Sequence, residues 1–284
     1  MKRNLLTAVI GLLLASSAHA SVLEWTQEEA RVYEENAEAL SFRCKIATSD
    51  AFQIMRETYY LPSADEEFVY NLMLEREFRK ATYDYICNTP WDRVENKRRI
   101  DELYQDSIDV RLLPHNDNLA GANVSISLRL ADKIGVSKEN YNKIMNLGLI
   151  VCRHVHKNPR YDYDIEVMDS LRNYLNKEQL YEVLSSKHAI ECINKGVATW
   201  HELKAEGLIE NEDSATCCNQ AIDYYLMECV VNDMFVGHEK QLKKNLSDLW
   251  KKQPLLIRMS EAIKKKETLT KKKEEENDKN EMAW

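Results

Sequence analysis

Apolar residues recur three or four positions apart along most of the chain, with polar residues between them. Four sets of residues show this spacing most clearly: Leu40, Cys44, Ala47, Ala51 and Ile54; Tyr141, Met145, Gly148, Cys152 and Val155; Val183, Ile190, Ile193, Val197 and Trp200; and Cys218, Ile222, Tyr225, Cys229 and Val236. Because an α-helix turns once every 3.6 residues, each set predicts one buried face of an amphipathic helix. We therefore predict an all-α fold of about eight or nine helices, packed as antiparallel hairpins.

The expected helix starts support this fold. Four segments have the spacing of a capping box, in which an N-cap side chain precedes a carboxylate or an amide by three residues. They are Thr26–Glu29, Ser63–Glu66, Ser137–Asn140 and Asn176–Gln179. Pro90 follows Thr89 at the first turn of another helix, where the missing N–H of proline costs nothing. Only 7 Gly and 5 Pro occur among 284 residues, too few for the frequent turns of a β protein.

The N-terminal segment predicts a cleavable signal peptide. Lys2 and Arg3 form a positive end, residues 5–14 form a short apolar core, and Ala-His-Ala at 18–20 offers the small residues that a signal peptidase reads. The apolar core is too short to remain as a membrane anchor. We predict a mature chain that begins near Ser21, is exported to the periplasm or the extracellular space, and has no stable membrane insertion.

After a signal peptide at 1–20, a helical domain is predicted over 21–263. A subdivision near 113–122, in the least regular stretch, and one continuous bundle both agree with the sequence. Residues 264–284 are nearly all charged, which predicts a solvated helix extension or a flexible tail. Trp284 at its end is either a stray exposed aromatic residue or a recognition tag.

The charge balance argues against two classes of partner. Without the signal peptide the chain carries 37 basic and 47 acidic residues, a net charge of −10. Nucleic acids and anionic lipid surfaces are bound by clustered cations. We therefore predict no nucleic-acid partner and expect a protein partner instead.

Seven cysteines in an exported chain raise the question of disulfide bonds. An odd number leaves at least one thiol unpaired in a monomer, and several of the cysteines lie on the apolar faces, where a free thiol behaves as a small hydrophobic group. A bridge from Cys192 to Cys217 and a bridge from Cys44 to Cys87 are both conceivable. The sequence leaves the connectivity open.

Two Cys/His pairs have the four-residue spacing that would place two metal ligands on one helix face. They are Cys152 with His156 and His188 with Cys192. Cys152 and His156 lie on or beside the apolar face of their helix, whereas His188 and Cys192 lie nearly opposite the third apolar set and should meet solvent or a different neighbour. We therefore predict no metal site and no cofactor.

The sequence contains no recognisable catalytic motif. It has no Gly-rich phosphate loop, no G-x-S-x-G, no H-E-x-x-H and no C-x-x-C. We predict that the protein is not an enzyme, with no catalytic and no cofactor-binding residues; its binding residues stay unknown at this point.

Residues 175–179, Leu-Asn-Lys-Glu-Gln, resemble the LTxxQ box of the periplasmic Spy/CpxP family, with Asn in place of Thr. Residues 136–140 and 25–29 are weaker versions of the same box. Longer segments at 118–136, 156–175 and 245–259 resemble exported all-helical proteins of Gram-negative bacteria, from which no activity can be carried over. The Spy/CpxP resemblance implies an ATP-independent chaperone or an envelope-stress modulator in the periplasm, which binds exposed apolar segments on a helical cradle.

Three functions follow as hypotheses. The first is a non-enzymatic exported protein that binds a protein partner or unfolded segments, in the manner of an envelope chaperone. The second is a structural or accessory subunit that docks on an envelope complex, with Trp284 and the charged tail as contacts. The least favoured is a metal-binding protein that uses Cys152, His156, His188 and Cys192.

Overall fold

The computed structural model describes residues 24–160, 162–210 and 214–281. These residues form eleven α-helices and one short 3₁₀ helix, without a β-strand in the described ranges. The all-α prediction is confirmed, but the number of helices exceeds the eight or nine expected. The polar stretch expected as a turn holds short helices of its own. The predicted signal peptide and Trp284 lie outside the described residues.

The chain forms two compact units, and the boundary between them lies between Ala120 and Gly121. From residue 24 onward, the first unit has four α-helices and a 3₁₀ helix, with these bounds: α1 Gln27–Thr58, α2 Ser63–Ile86, α3 Pro90–Leu112, the 3₁₀ helix Leu113–His115 and α4 Asp117–Ala120. Helix α2 packs against both α1 and α3. Leu40 and Cys44 of α1 meet Ala81 of α2 in the core of this unit.

The described part of the second unit has seven α-helices, with these bounds: α5 Ala122–Leu130, α6 Lys138–Lys157, α7 Asp164–Tyr174, α8 Lys177–Ala205, α9 Ser214–Met234, α10 Glu239–Lys251 and α11 Leu255–Glu281. Helices α8 and α9 form its most extensive helix pair. On another side of α9, Ala221 and Tyr224 pack on Ile257 of α11. Helix α11 continues through the charged segment as far as Glu281.

Two of the four expected capping boxes form completely, and a third forms only its N-cap. Thr26 and Asn176 make complete capping boxes with Glu29 and Gln179, and Ser137 accepts a hydrogen bond from the backbone N–H of residue 140 at 3.2 Å. The prediction for Ser63 is wrong. Pro62 occupies the N-cap position, so Ser63 is already the first helical residue and makes no cap.

The predicted buried faces have mixed outcomes. The second set is confirmed at Met145, Gly148 and Cys152, which are all buried. In the first set Leu40 and Cys44 are buried, but Ile54 is exposed because the buried face of α1 continues through other residues. None of the helices in the described ranges combines the length and apolar character that a bilayer-crossing segment needs.

Candidate functional site

Helix α8 begins at the segment that resembles an LTxxQ box. The side chain of Asn176 accepts a hydrogen bond from the backbone N–H of Gln179 at 2.9 Å, and Gln179 Oε1 accepts one from the backbone N–H of Asn176 at 3.0 Å. Gln179 Nε2 also donates to the carbonyl oxygens of Ile134 and Gly135. The box therefore caps α8 and also forms hydrogen bonds to the turn that precedes α6.

Between Ile190 and Val197, α8 is oriented opposite to the way that the third apolar set predicts, although Val183 of the same set is buried as predicted. Ile190, Ile193 and Val197 are 76%, 47% and 39% exposed. The face that packs into the unit carries instead Cys192, Gly196, Thr199 and Leu203, all buried. Over this length of the helix the prediction of a buried Ile/Val face is wrong. Cys192 was expected to meet solvent or a different neighbour, and it is buried against α9.

Close packing against α9 explains why the smaller residues face inward. A Cβ atom added at Gly196 would lie 2.5 Å from Cγ1 of Ile222 and 3.1 Å from the carbonyl oxygen of Cys218. The two backbones therefore approach more closely than any side chain at position 196 would permit. Larger residues on that face would push the helices apart, so Ile and Val occupy the opposite face.

Polar contacts fix the register of this antiparallel pair. Thr199 Oγ1 and Tyr225 Oη lie 3.0 Å apart. Toward the other end Asp233 accepts a hydrogen bond from Lys187 Nζ at 2.6 Å, and its Oδ2 lies 2.9 Å from His188 Nε2. Because most of these atoms are partly buried, they align α8 and α9 more specifically than apolar packing alone would.

The four residues of the metal hypothesis do not form a site. His188 is engaged by Asp233, and Cys192 faces Cys229 of α9 with the two sulfur atoms 3.9 Å apart. Cys152 is buried in α6, whereas His156 is exposed near the end of that helix. Among the described residues no group of three or more His, Cys, Asp or Glu side chains is arranged to hold a metal ion.

The outer face of α8 carries a narrow apolar stripe, which we call the α8 seam: Ile190, Ile193, Val197 and Trp200. Its members are spaced three, four and three residues apart, the spacing of the a and d positions of a heptad. At 1.5 Å per residue the seam is about 15 Å long, or nearly three helical turns. Apolar side chains at this spacing are the surface that a second helix packs against.

The half-buried Trp200 ends the seam. Lys204 Nζ lies over its ring, 5.1 Å from the centroid, and the ring of His201 is 4.5 Å away, centroid to centroid. Its indole N–H is buried without a hydrogen-bond partner among the described atoms. Beside the seam, Lys195 Nζ pairs with the Glu191 carboxylate at 2.6 Å, so the charges there largely neutralise each other.

The first unit presents a different kind of surface around Asp84. The carboxylate of this residue pairs with Arg43 at 3.0 Å, Lys97 at 2.5 Å and Arg93 at 3.8 Å. Partial burial raises the pKa of Asp84, but hydrogen bonds from Lys97 and Arg43 outweigh it and hold the pKa below its usual value. Three cations on one carboxylate leave a local positive charge on an acidic chain.

Besides the charged cluster around Asp84, the first unit has a small cavity and two exposed aromatic side chains on the helices that contribute to the cluster. A cavity of about 80 Å³ is lined by residues that include Arg43, Cys44 and Lys97; it has room for water-sized molecules, whereas sites for organic ligands occupy roughly 300 Å³ or more. Phe42 and Trp91 are 75% and 78% exposed on α1 and α3. Exposed aromatic residues and arginines are enriched at protein interfaces.

A buried ion pair holds the start of α1 to α2. Arg79 donates from Nε and Nη2 to the Glu29 carboxylate at 3.0 and 3.2 Å, and Tyr83 donates to the same carboxylate at 2.8 Å. Burial raises the pKa of Glu29, but hydrogen bonds from Arg79, Thr26 and Tyr83 together hold it below its usual value. Both charged groups are almost fully buried, so this cluster stabilises the unit and offers nothing to a ligand.

Sequence reasoning missed the α8 seam as a functional surface because it counted the same residues as core. The signal that could have revealed it is the second small-residue face on the same helix, Cys192, Gly196 and Thr199, four and three residues apart.

No protein-family model, no curated protein and no solved structure matches this chain.

Proposed function

We propose that this protein is a non-enzymatic binding protein that docks an amphipathic helix of another protein on the α8 seam. The observation that carries the proposal is the exposure of Ile190, Ile193 and Val197 on one face of a helix whose opposite face is packed. Aligned exposed apolar residues of this kind mark interaction sites, whereas single exposed residues do not.

A helix is the occupant that fits the seam best. The backbone N–H and C=O groups in the middle of α8 are bonded within the helix, so they cannot pair with an added β-strand. Recognition then depends on side chains, and apolar residues at a and d spacing fit the apolar face of another helix. The seam is short, which favours a reversible complex.

The predicted signal peptide would deliver the protein to the periplasm or the extracellular space, and the proposed partner is therefore an envelope or secreted protein. The proposal combines the first two sequence hypotheses, a protein-binding protein and an accessory subunit of an envelope complex. It gives no role to a metal, a cofactor or a nucleic acid.

The test compares two variants of the full chain expressed in its own cell envelope. One carries Ile190→Ser, Ile193→Ser and Val197→Ser; the matched control carries Ile150→Ser, which removes an isolated exposed isoleucine of α6. Affinity capture should recover a stoichiometric partner with the wild type and the control. The triple variant should recover at least tenfold less of this partner. A synthetic peptide of the partner's contacting helix should likewise bind the wild type and the control but not the triple variant.

Unfolding measurements keep this test interpretable. Because the three residues are at the surface, each serine should change the free energy of unfolding by about 0.5 kcal/mol or less, so the triple variant should remain folded. A loss of several kcal/mol would mean that the residues are buried, which would contradict the seam itself. Retention of every partner by a folded triple variant would contradict the docking function.

Binding of unfolded segments is the second candidate, favoured by the widely exposed Phe42 and Trp91 of the first unit. This chaperone activity predicts that the full chain suppresses the aggregation of a chemically unfolded test protein at near-stoichiometric amounts. Replacement of Phe42 and Trp91 by Ser should then reduce the suppression, and replacement of the three seam residues should not. Equal suppression by all variants would contradict a role for either surface.

A further inference from the structure

Two cysteine side chains meet on the buried face of the α8/α9 pair. The Sγ atoms of Cys192 and Cys229 are 3.9 Å apart, and Cys192 is fully buried. The two helices are held in register on either side of this point, by the Asp233 contacts toward one end and by Thr199 and Tyr225 toward the other. The thiols are therefore held opposite each other and do not meet by a chance side-chain orientation.

We propose that Cys192 and Cys229 form a disulfide bond that joins α8 to α9 on the face opposite the α8 seam. A bond length of about 2.05 Å requires the two sulfur atoms to move closer by about 2 Å. The proposal adds a covalent modification site to the docking function and does not depend on that function being correct.

The oxidant is a disulfide donor, which is the class of reagent that oxidises thiols in exported proteins. One cysteine loses its proton, and its sulfur attacks a donor sulfur to give a mixed disulfide and one donor thiolate. The second cysteine, after losing its proton, displaces the remaining donor sulfur. Two electrons pass to the donor, and the two protons end on its two thiolates.

The surroundings indicate when the bond would form. Burial raises the pKa of Cys192 to about 12, with a further contribution from Cys229, and burial also raises the pKa of the Cys229 thiol. Few thiolates are then available in the folded chain near neutral pH, and exchange needs a thiolate. The bond should form before the helices close around it, and the closed structure should afterwards protect it from reductants.

This pairing differs from the Cys192–Cys217 bridge that the sequence left open. Cys217 lies twelve residues before Cys229 along α9, over three turns away and about 120° around the helix. It is buried on the same face as Ala221 and Tyr224. The adjacent Cys218 is only partly buried. The remaining cysteines are not required to pair, which agrees with an odd total of seven.

The test begins from the full chain, unfolded and reduced, then refolded in a mixture of oxidised and reduced glutathione. The refolded chain is then unfolded in denaturant at mildly acidic pH, which exposes buried thiols and slows disulfide exchange, and free thiols are blocked there by a maleimide before digestion. Trypsin leaves Cys217, Cys218 and Cys229 on one peptide at 205–240, so a second cleavage after Glu228 is needed to separate them. The expected product links the peptide of Cys192 to the peptide that begins at Cys229.

Variants make the assignment specific. In Cys192→Ala, Cys229 should become alkylated, and in Cys229→Ala, Cys192 should become alkylated. The control Cys217→Ala removes the competing thiol and should leave the linked pair unchanged. Complete alkylation of both cysteines in the oxidatively refolded wild type, when blocked in denaturant, would overturn the proposal, as would a link from Cys192 to any other cysteine.

Discussion

Single residues decide the orientation of α8. Its sequence offers two faces to a neighbouring helix, one of Ile and Val and one of Cys, Gly and Thr. Hydrophobicity alone favours burial of the first, whereas the close approach of α9 favours the second, because only a small side chain fits at Gly196. Apolar periodicity therefore predicted the existence of the helix but not the direction of its faces.

Replacement of Gly196 by Ala tests this packing, because the sign of the change in the free energy of unfolding depends on whether the new methyl group fits. Helix propensity alone would stabilise the chain by about 1 kcal/mol. We expect a loss of about 1–3 kcal/mol instead, because the new methyl group would overlap Ile222 and the backbone of Cys218. Urea unfolding monitored by circular dichroism measures the difference.

The matched control for that substitution is Asn194→Ala on the exposed part of the same helix. It should leave the stability unchanged or slightly raised, since alanine is the better helix former there. A stabilised Gly196→Ala variant would show that α8 and α9 are not closely packed at this point.

The buried ion pair gives a prediction at the same scale. Glu29→Gln should lower the free energy of unfolding by about 3 kcal/mol at neutral pH, because it leaves the charge of Arg79 buried without its partner. Since folding lowers the pKa of Glu29, its contribution is present above the unfolded-state value near 4.5 and is lost as the pH falls through the lower folded-state value.

A urea titration series from pH 7 down to pH 3 checks both parts of this prediction. The stability difference between wild type and Glu29→Gln should narrow in acid. If the difference were constant with pH, or if the variant were as stable as the wild type at pH 7, the carboxylate would not have the role assigned to it.

Helix boundaries were the local feature most accessible from sequence. An N-cap is formed by a few adjacent residues, so Thr26, Ser137 and Asn176 could be identified without knowledge of the fold. The N-cap prediction for Ser63 was wrong because Pro62, with its fixed φ, occupies the N-cap position itself. The short helices α4 and α5 could not be predicted, since too few residues define their periodicity.

The capping box at the start of α8 forms, and it can be compared with the box expected at Ser63, which does not form. Asn176→Ala should cost about 1 kcal/mol of stability, and Gln179→Ala should cost at least as much, because Gln179 also binds the carbonyls of Ile134 and Gly135. Ser63→Ala is the control and should be nearly neutral. Equal effects in all three variants would contradict the structural distinction between the two segments.

The proposed disulfide predicts a change in the stability of the second unit. It would close a loop whose ends are 37 residues apart, and a loop of that size stabilises a folded chain by about 4 kcal/mol in the chain-entropy description. Addition of a reductant during urea unfolding should therefore lower the wild-type midpoint. The variant with both Cys192→Ala and Cys229→Ala should be insensitive, and an equal response of both proteins would contradict the link.

At the level of the whole molecule, composition was a sufficient guide to the fold class. Few glycines and prolines, abundant helix formers and repeated apolar spacing left little alternative to an all-α chain. The candidate surface was not accessible in the same way. Which of two helix faces becomes solvent-exposed depends on contacts between α8 and α9, and the spacing within one helix contains no information about its neighbour.

Under the proposed function, one face of α8 is open to bind another protein. Site-specific photo-crosslinking in the native envelope tests it most directly, with the photoreactive residue placed in turn at Ile190, Ile193, Val197 and the exposed neighbours Glu191 and Lys195. We expect strong crosslinks to one helical segment of a partner from the first three positions, and weak ones from the other two. Uniform crosslinking around the helix, or none above that from Ile150 of α6, would contradict it.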